Sequence, residues 1–309
     1  MKQRSAHLAG IGFSVIFGFT FLFSKIALTY VSPVALISYR FLFAFLVFEL
    51  LRRFKVIKVR FWKGQWKLWL PIALCEPVLY FFGETFGLQR TTTGEAGLMI
   101  ALIPVFVTLL SAFVLREKPL VLQVLFILLS IAGILVIQFA VPAEGQGGDV
   151  IGFLLLLGAV LTAAFFTILS RKASRILTPT ETTYFMMLTA AVAFNLVYLP
   201  ELAIQGRMGS FFTDLAQWEV ILPLLYLGIV ASIGGYFLVN FALSKLPAPV
   251  SSIYSNLSTV VAVAAGALIL GEPLSAAHFI GGAMIIAGVY GTVFFERRKT
   301  PPPDLLKTE

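Results

Sequence analysis

Cysteine is almost missing from this chain: Cys75 stands alone among 309 residues. Intrachain disulfides and cysteine-rich metal sites are therefore excluded. Charge is also scarce, with only 12% of residues charged against about a quarter in ordinary soluble domains. The three aspartates, Asp149, Asp214 and Asp304, all fall in expected loops or in the tail. No zinc-binding H-E-x-x-H, phosphate-cradling glycine loop or G-x-S-x-G elbow occurs, so nucleotide-driven pumping and hydrolysis by those routes lose support. His7 and His278 are isolated from each other. No enzyme, cofactor or metal site is expected. Met1–His7 is short and basic and runs straight into an apolar block, without a small-residue cleavage site.

What the chain has in abundance is apolar sequence. Hydrophobic residues make up 59% of it and its mean hydropathy is +0.95. They gather in blocks of about 20 residues, the length a helix needs to cross the hydrocarbon core. Ten spans are predicted, at 8–29, 33–51, 67–88, 95–115, 120–140, 150–169, 180–199, 219–243, 248–270 and 275–295. Ser32-Pro33, Lys118-Pro119, Pro142, Thr178-Pro179, Pro247 and Glu272-Pro273 punctuate them, since proline lacks an N–H and opens or closes helices. The fold class is all-α, a polytopic membrane protein.

Basic residues orient such a chain, because Lys and Arg accumulate on the cytoplasmic side. With the N terminus in the cytoplasm, that side collects 19 of the 23 Lys and Arg, and the other side only Arg90 and Arg207. Lys25 and Arg40 lie within spans. A wrong span count would scramble this parity, so the asymmetry supports ten spans with both termini cytoplasmic, in a cell inner membrane. It also explains the net charge of +8 by topology and anionic lipid rather than nucleic acid. Trp62, Trp66 and Trp69 suit an aromatic belt beside the basic loop.

Shifting the chain by 155 aligns Phe86–Gly133 with Phe241–Gly288 at ten identical positions, including Glu117 with Glu272. Earlier in each half the shift is 146, matching Ser32-Pro33 to Thr178-Pro179. Residues 1–141 and 142–296 thus read as two five-helix repeats, followed by a disordered cytoplasmic tail at 297–309. Five is odd, so the copies cross the bilayer in opposite directions. Inverted repeats are the usual scaffold for alternating access around a midplane site.

The order of these motifs resembles the EamA-type branch of the drug/metabolite transporter superfamily. The first half carries Ser24-Lys25, Ser32-Pro33, Arg40-Phe41, Pro104, Glu117 and Ala132-Gly133; the second repeats Glu272-Pro273 and Ala287-Gly288. Thr259 stands where a proline opposite Pro104 is expected, and Met186 near where a second arginine would be. The resemblance implies export of a small organic metabolite, commonly an amino acid or toxic compound, with the proton gradient a frequent drive. The alternative is a passive facilitator on the same scaffold. Expected partners are a small-molecule substrate, protons and membrane lipids, with the chain a monomer or homodimer.

Ionisable groups inside a bilayer are functional candidates by default. Glu76, Tyr80, Gly83, Glu84 and Gly87 recur at the spacing of one helical face. Glu76 sits roughly 14 Å into the third span at about 1.5 Å per residue, near the midplane. It is a candidate for proton exchange, or a neutral group bonded to a neighbouring helix. Lys25, Arg40 and Glu84 share the outer third, as a gate or as ties between spans, and Arg40 is the deepest. Glu95 reads as a charge complementing a helix N terminus, and Glu117 and Glu272 as structural span ends. In the second half Ser232, Tyr236, Asn240 and Ser244 recur every four residues. Ser255 and Asn256 belong to a polar opening of span nine, and either bond between helices or line a wet cavity. Gly266, Gly281, Gly282, Gly288 and Gly291 read as close-packing positions. These residues, together with the family resemblance, imply a crevice lined by spans one, three, four, six, eight and nine.

Overall fold

The computed structural model describes residues 2–88, 90, 99, 100, 102–117, 119–140, 150–215, 217–270 and 275–299. Among them helix is the only regular secondary structure. Seven helices are long and apolar enough to cross a membrane: Gln3–Leu28, Pro33–Arg53, Val150–Ala173, Pro179–Ile204, Trp218–Lys245, Ala248–Ile269 and Ala276–Phe295. Ile103–Leu115 and Val121–Ile137 are shorter apolar helices. The outer surface is greasy, with Phe113, Leu268 and Tyr290 at 82%, 86% and 69% exposure. Asn240 and Ser232 are sealed within, at 2% and 0%. A water-soluble surface does not sort residues this way; a lipid-facing one does.

In chain order the helices are α1 (Lys2–Leu28), α2 (Pro33–Arg53), α3 (Trp66–Ala73), α4 (Tyr80–Leu88), α5 (Ile103–Leu110), α6 (Val121–Ala140), α7 (Val150–Ala173) and α8 (Pro179–Ile204). They continue as α9 (Ser210–Leu215), α10 (Trp218–Leu225), α11 (Tyr236–Lys245), α12 (Ala248–Ser252), α13 (Tyr254–Leu270) and α14 (Ala276–Lys299). Two wider π-type segments, at Ser111–Leu115 and Tyr226–Gly235, and an irregular segment at Leu74–Leu79 adjoin some of these. Pro71 and Pro223 each stand three residues ahead of such a segment. A proline in a helix withholds one backbone donor and loosens the turns around it. α14 runs on to Lys299; residues 300–309 of the expected tail lie outside the described residues.

The expected helix openings carry their own chemistry. Ser32 Oγ accepts the Ala35 N–H at 3.2 Å, with Pro33 as the first helical residue of α2. At α8, Thr178 Oγ1 accepts the Glu181 N–H at 3.2 Å, while Glu181 Oε2 accepts the Thr178 N–H at 2.8 Å. This reciprocal box satisfies two donors that a helix start leaves orphaned.

Packing follows a reciprocal pattern. α2 lies along α8, and α6 along α14. α1 packs on α11, α13 and the Tyr226–Gly235 segment, while α7 packs on α3, α4 and α5. The α6–α14 contact is close enough to need glycine: a Cβ on Gly133 would stand 2.5 Å from the Gly281 carbonyl oxygen, and one on Gly288 2.6 Å from that of Phe126. Gly291 lies tightly against the Phe126 ring, whereas Gly282 faces open space.

At the end bearing the basic loop, charges tie segments together. Glu181, only 1% exposed, accepts from Arg60 Nε at 2.6 Å, Arg60 Nη2 at 3.0 Å and the Arg60 backbone N–H at 3.1 Å. These bonds hold the Arg60 guanidinium above its ordinary range. Glu49 on α2 accepts from Tyr184 on α8 at 2.8 Å and from both Arg52 and Arg53. Phe61 of the same loop meets Tyr184 and Phe185 edge-on.

Replacing Gly133 with leucine should lower stability by about 1–3 kcal/mol, the usual cost of overpacking, read as a drop in the thermal unfolding midpoint in detergent. An unchanged midpoint would show that α6 and α14 do not approach at this point.

Candidate functional site

The third predicted span is not one continuous helix. Glu76 precedes Pro77, and the residue before a proline is pushed out of helical backbone. Glu76 accordingly adopts φ −146° and ψ 124°, extended backbone between α3 and α4. The expectation of a single helical face from Glu76 to Gly87 is corrected by this break; the regular spacing holds only from Tyr80 onward. On α4 the face then divides. Gly83 and Gly87 are buried against α7, where a Cβ on Gly83 would come 2.8 Å from the Leu155 carbonyl oxygen. Tyr80 and Glu84 stay half-buried, and the Tyr80 hydroxyl donates to Glu84 Oε1 at 3.1 Å.

The break delivers Glu76 to a residue of the second half. Tyr236, at the start of α11 and 2% exposed, donates its hydroxyl to Glu76 Oε1 at 2.9 Å. The Tyr236 ring is held edge-on by Phe17 at 5.5 Å and by Phe166 at 6.4 Å. One turn earlier, Ser232 Oγ accepts from Arg40 Nε at 2.8 Å. The Arg40 guanidinium lies over the rings of Phe41 and Phe81, at 5.3 and 5.0 Å, contacts that favour a cation electrostatically. Its charge acts on Glu84 and on the Tyr80, Tyr226 and Tyr236 hydroxyls. α2, the segment joining α3 to α4, and the stretch from Ser232 to Tyr236 therefore converge on one polar cluster of two carboxylates, a guanidinium and aromatic hydroxyls. Non-helical backbone at membrane depth is tolerated where protein encloses it or where it lines a wet cavity. The half-buried state of Glu76, Tyr80 and Glu84 fits a crevice.

Other candidates go elsewhere. Asn240 is bonded on all sides: Ser170 Oγ donates to its Oδ1 at 2.6 Å, and its Nδ2 donates to Thr183 Oγ1 at 3.1 Å and Met186 Sδ at 3.5 Å. It knots α7, α8 and α11 together. Asn256, 3% exposed, donates to Ser130 Oγ at 3.2 Å, joining α13 to α6. Ser255 Oγ donates to the carbonyl of Ser252 at 2.7 Å, within its own span. The Lys25 side chain, Glu95 and Glu272 lie outside the described residues. Glu117 accepts from Arg171 Nε at 2.9 Å and from the Ala248 N–H at 2.8 Å, bridging α7 to the start of α12. Among the described residues no group of three or more His, Cys, Asp and Glu is placed to hold a metal ion.

Sequence reasoning missed the aromatic walls. Phe17, Phe81 and Phe166 are three among 30 phenylalanines, and nothing in their spacing separates them from lipid-facing rings. The break itself had a signal, in the proline that follows Glu76. Two outer grooves of about 340 and 230 Å³, lined by residues such as Leu8 with Phe241 and Val105 with Leu128, are apolar and do not include the polar cluster.

Known proteins place this chain firmly. The model of the EamA-like transporter family matches it twice, over residues 4–139 and 150–294, and the chain belongs to that family. An uncharacterized transporter of Bacillus subtilis, YcxC, is 33% identical over 98% of this chain and 97% of its own length. A protein of Salmonella typhimurium named a probable amino-acid metabolite efflux pump is 30% identical, over 93% of this chain and 94% of its own. One solved crystal structure superposes with a TM-score of 0.79 at 19% identity, covering 96% of this chain and 99% of that one. That last likeness shows the fold alone. Family and helices together make this a multi-pass membrane protein of a transporter family.

Tyr236→Phe keeps both ring contacts and deletes one bond to Glu76, so it should lower stability by about 0.5–1.5 kcal/mol. Tyr236→Ala should cost about 3–5 kcal/mol through lost packing. Thermal unfolding of the purified variants separates the two; a phenylalanine variant as stable as the parent would deny that bond any structural weight.

Proposed function

We propose that the chain is a secondary active carrier that exports a small organic metabolite across the cell inner membrane. It has ten crossings in two inverted five-helix halves, residues 1–141 and 142–296. Both termini are cytoplasmic, on the side where the basic loops collect. Several observations support this arrangement. The family model matches once in each half. α2 and α8 pair, and so do α6 and α14, while α1 and α7 exchange partners reciprocally. Such reciprocity is what a two-fold axis lying in the membrane plane would impose.

The observation that carries the reading is the break at Glu76. Discontinuous helices meeting near the midplane are a recurrent way of building transporter sites. Here the break presents a carboxylate to Tyr236 of the other half. Glu76 can take a proton from one side and release it to the other as the halves rearrange, which would couple transport to the proton gradient. Glu84, bonded to Tyr80, is the second carboxylate available for the same task. Relatives named probable amino-acid metabolite efflux pumps favour an amino acid or a compound of similar size as cargo.

Proteoliposomes loaded with a panel of radiolabelled amino acids test this. A carrier shows counterflow, and a coupled one moves label faster under an imposed pH gradient. Glu76→Gln should abolish the gradient's effect while leaving counterflow within about tenfold of the parent, since counterflow needs no net proton movement. Label that leaks without saturation or counterflow would indicate a passive pore instead. Equal rates with and without the gradient would remove the coupling.

A further inference from the structure

We propose that Arg40 is the anchor for the carboxylate of an anionic substrate. This deepens the carrier reading and rests on it. Arg40 is 6% exposed, yet only its Nε is bonded, to Ser232 Oγ at 2.8 Å. Among the described residues its two terminal nitrogens donate no hydrogen bond, and they are not sealed off as buried unsatisfied atoms are elsewhere in the chain.

Guanidinium stays protonated in proteins, so a permanent charge is held inside the helix bundle. An enclosed cation needs an anion or a full set of bonds to offset its lost hydration. Neither carboxylate of the cluster is hydrogen-bonded to it. Glu84 takes its bond from Tyr80 and Glu76 from Tyr236, and no described carboxylate makes an ion pair with Arg40. The two terminal nitrogens form the planar fork that matches a carboxylate's two oxygens. The rings of Phe41 and Phe81 lie against its central carbon at 5.3 and 5.0 Å and offer the terminal nitrogens no lone pair. The bond to Ser232 orients the guanidinium. One turn along from Ser232 stand the Tyr236 ring and its neighbours Phe17 and Phe166, surroundings suited to an apolar or aromatic body on the acid.

Three probes of nearly one shape settle it: phenylacetate, phenylacetamide and phenethylamine, each added to the purified full chain in detergent. Specific binding raises the unfolding midpoint. Phenylacetate should raise it by about 2–4 °C at concentrations several-fold above its Kd; the amide and the amine should not. Arg40→Gln should lose the phenylacetate shift. Should that variant fail to fold, Ser232→Ala leaves the guanidinium in place and removes only its aim, and should weaken phenylacetate about three- to tenfold. No shift with phenylacetate, an equal shift with the amide, or a shift that survives Arg40→Gln or is unaltered in Ser232→Ala overturns the anchor. Stabilisation by phenethylamine alone also overturns it, while counterflow in proteoliposomes would leave the carrier reading standing. Absence of counterflow with every solute would sink the carrier and leave the binding result intact.

Discussion

Inside a bilayer a polar group has no water to fall back on, and every one must find its partner within the protein. That constraint organises this molecule. Glu76 comes to rest against Tyr236, Arg40 against Ser232 and two phenylalanine faces, and Asn240 among Ser170, Thr183 and Met186. Apart from the Arg40–Phe41 contact, which lies within α2, each of these joins segments distant in the chain. The polar groups therefore act as register marks, fixing which helices meet and at what depth. Apolar packing alone would leave that choice loosely determined, because lipid tails solvate leucine as well as another helix does.

The interior polar groups differ in how completely they are satisfied, and the difference sorts structure from candidate chemistry. Asn240 and Glu117 have partners on neighbouring helices and little remaining capacity for a ligand. Glu76, Tyr80 and Glu84 keep accessible surface, and Arg40 keeps two unbonded nitrogens. A tightly bonded frame surrounds a loosely bonded centre. At the basic end the frame is reinforced by charge, where Glu181 gathers donors from Arg60 and Thr178.

Much of this was legible beforehand. Block length and the scarcity of charge pointed to a helical multi-pass membrane protein, because each reflects a constraint acting along the chain. Ser32-Pro33 and Thr178-Pro179 marked helix starts for local reasons that the caps of α2 and α8 bear out. The pairing of Arg40 with Ser232, 192 residues away, was not legible. Nor was the knot around Asn240, which looked equally suited to lining a cavity. Those depend on how two halves face each other, and no residue spacing encodes a rotation between helices. The break at Glu76 fell between: Pro77 announced a perturbation, but its direction, toward Tyr236, needed the packing.

The position of Cys75 has a practical corollary. It is the single sulfhydryl of the chain, free and half-buried, and it immediately precedes the residue at which the third span breaks. A fluorophore or spin probe carrying a thiol-reactive group would attach there and nowhere else. The wild-type sequence thus brings its own attachment point for spectroscopy, one peptide bond from its central carboxylate.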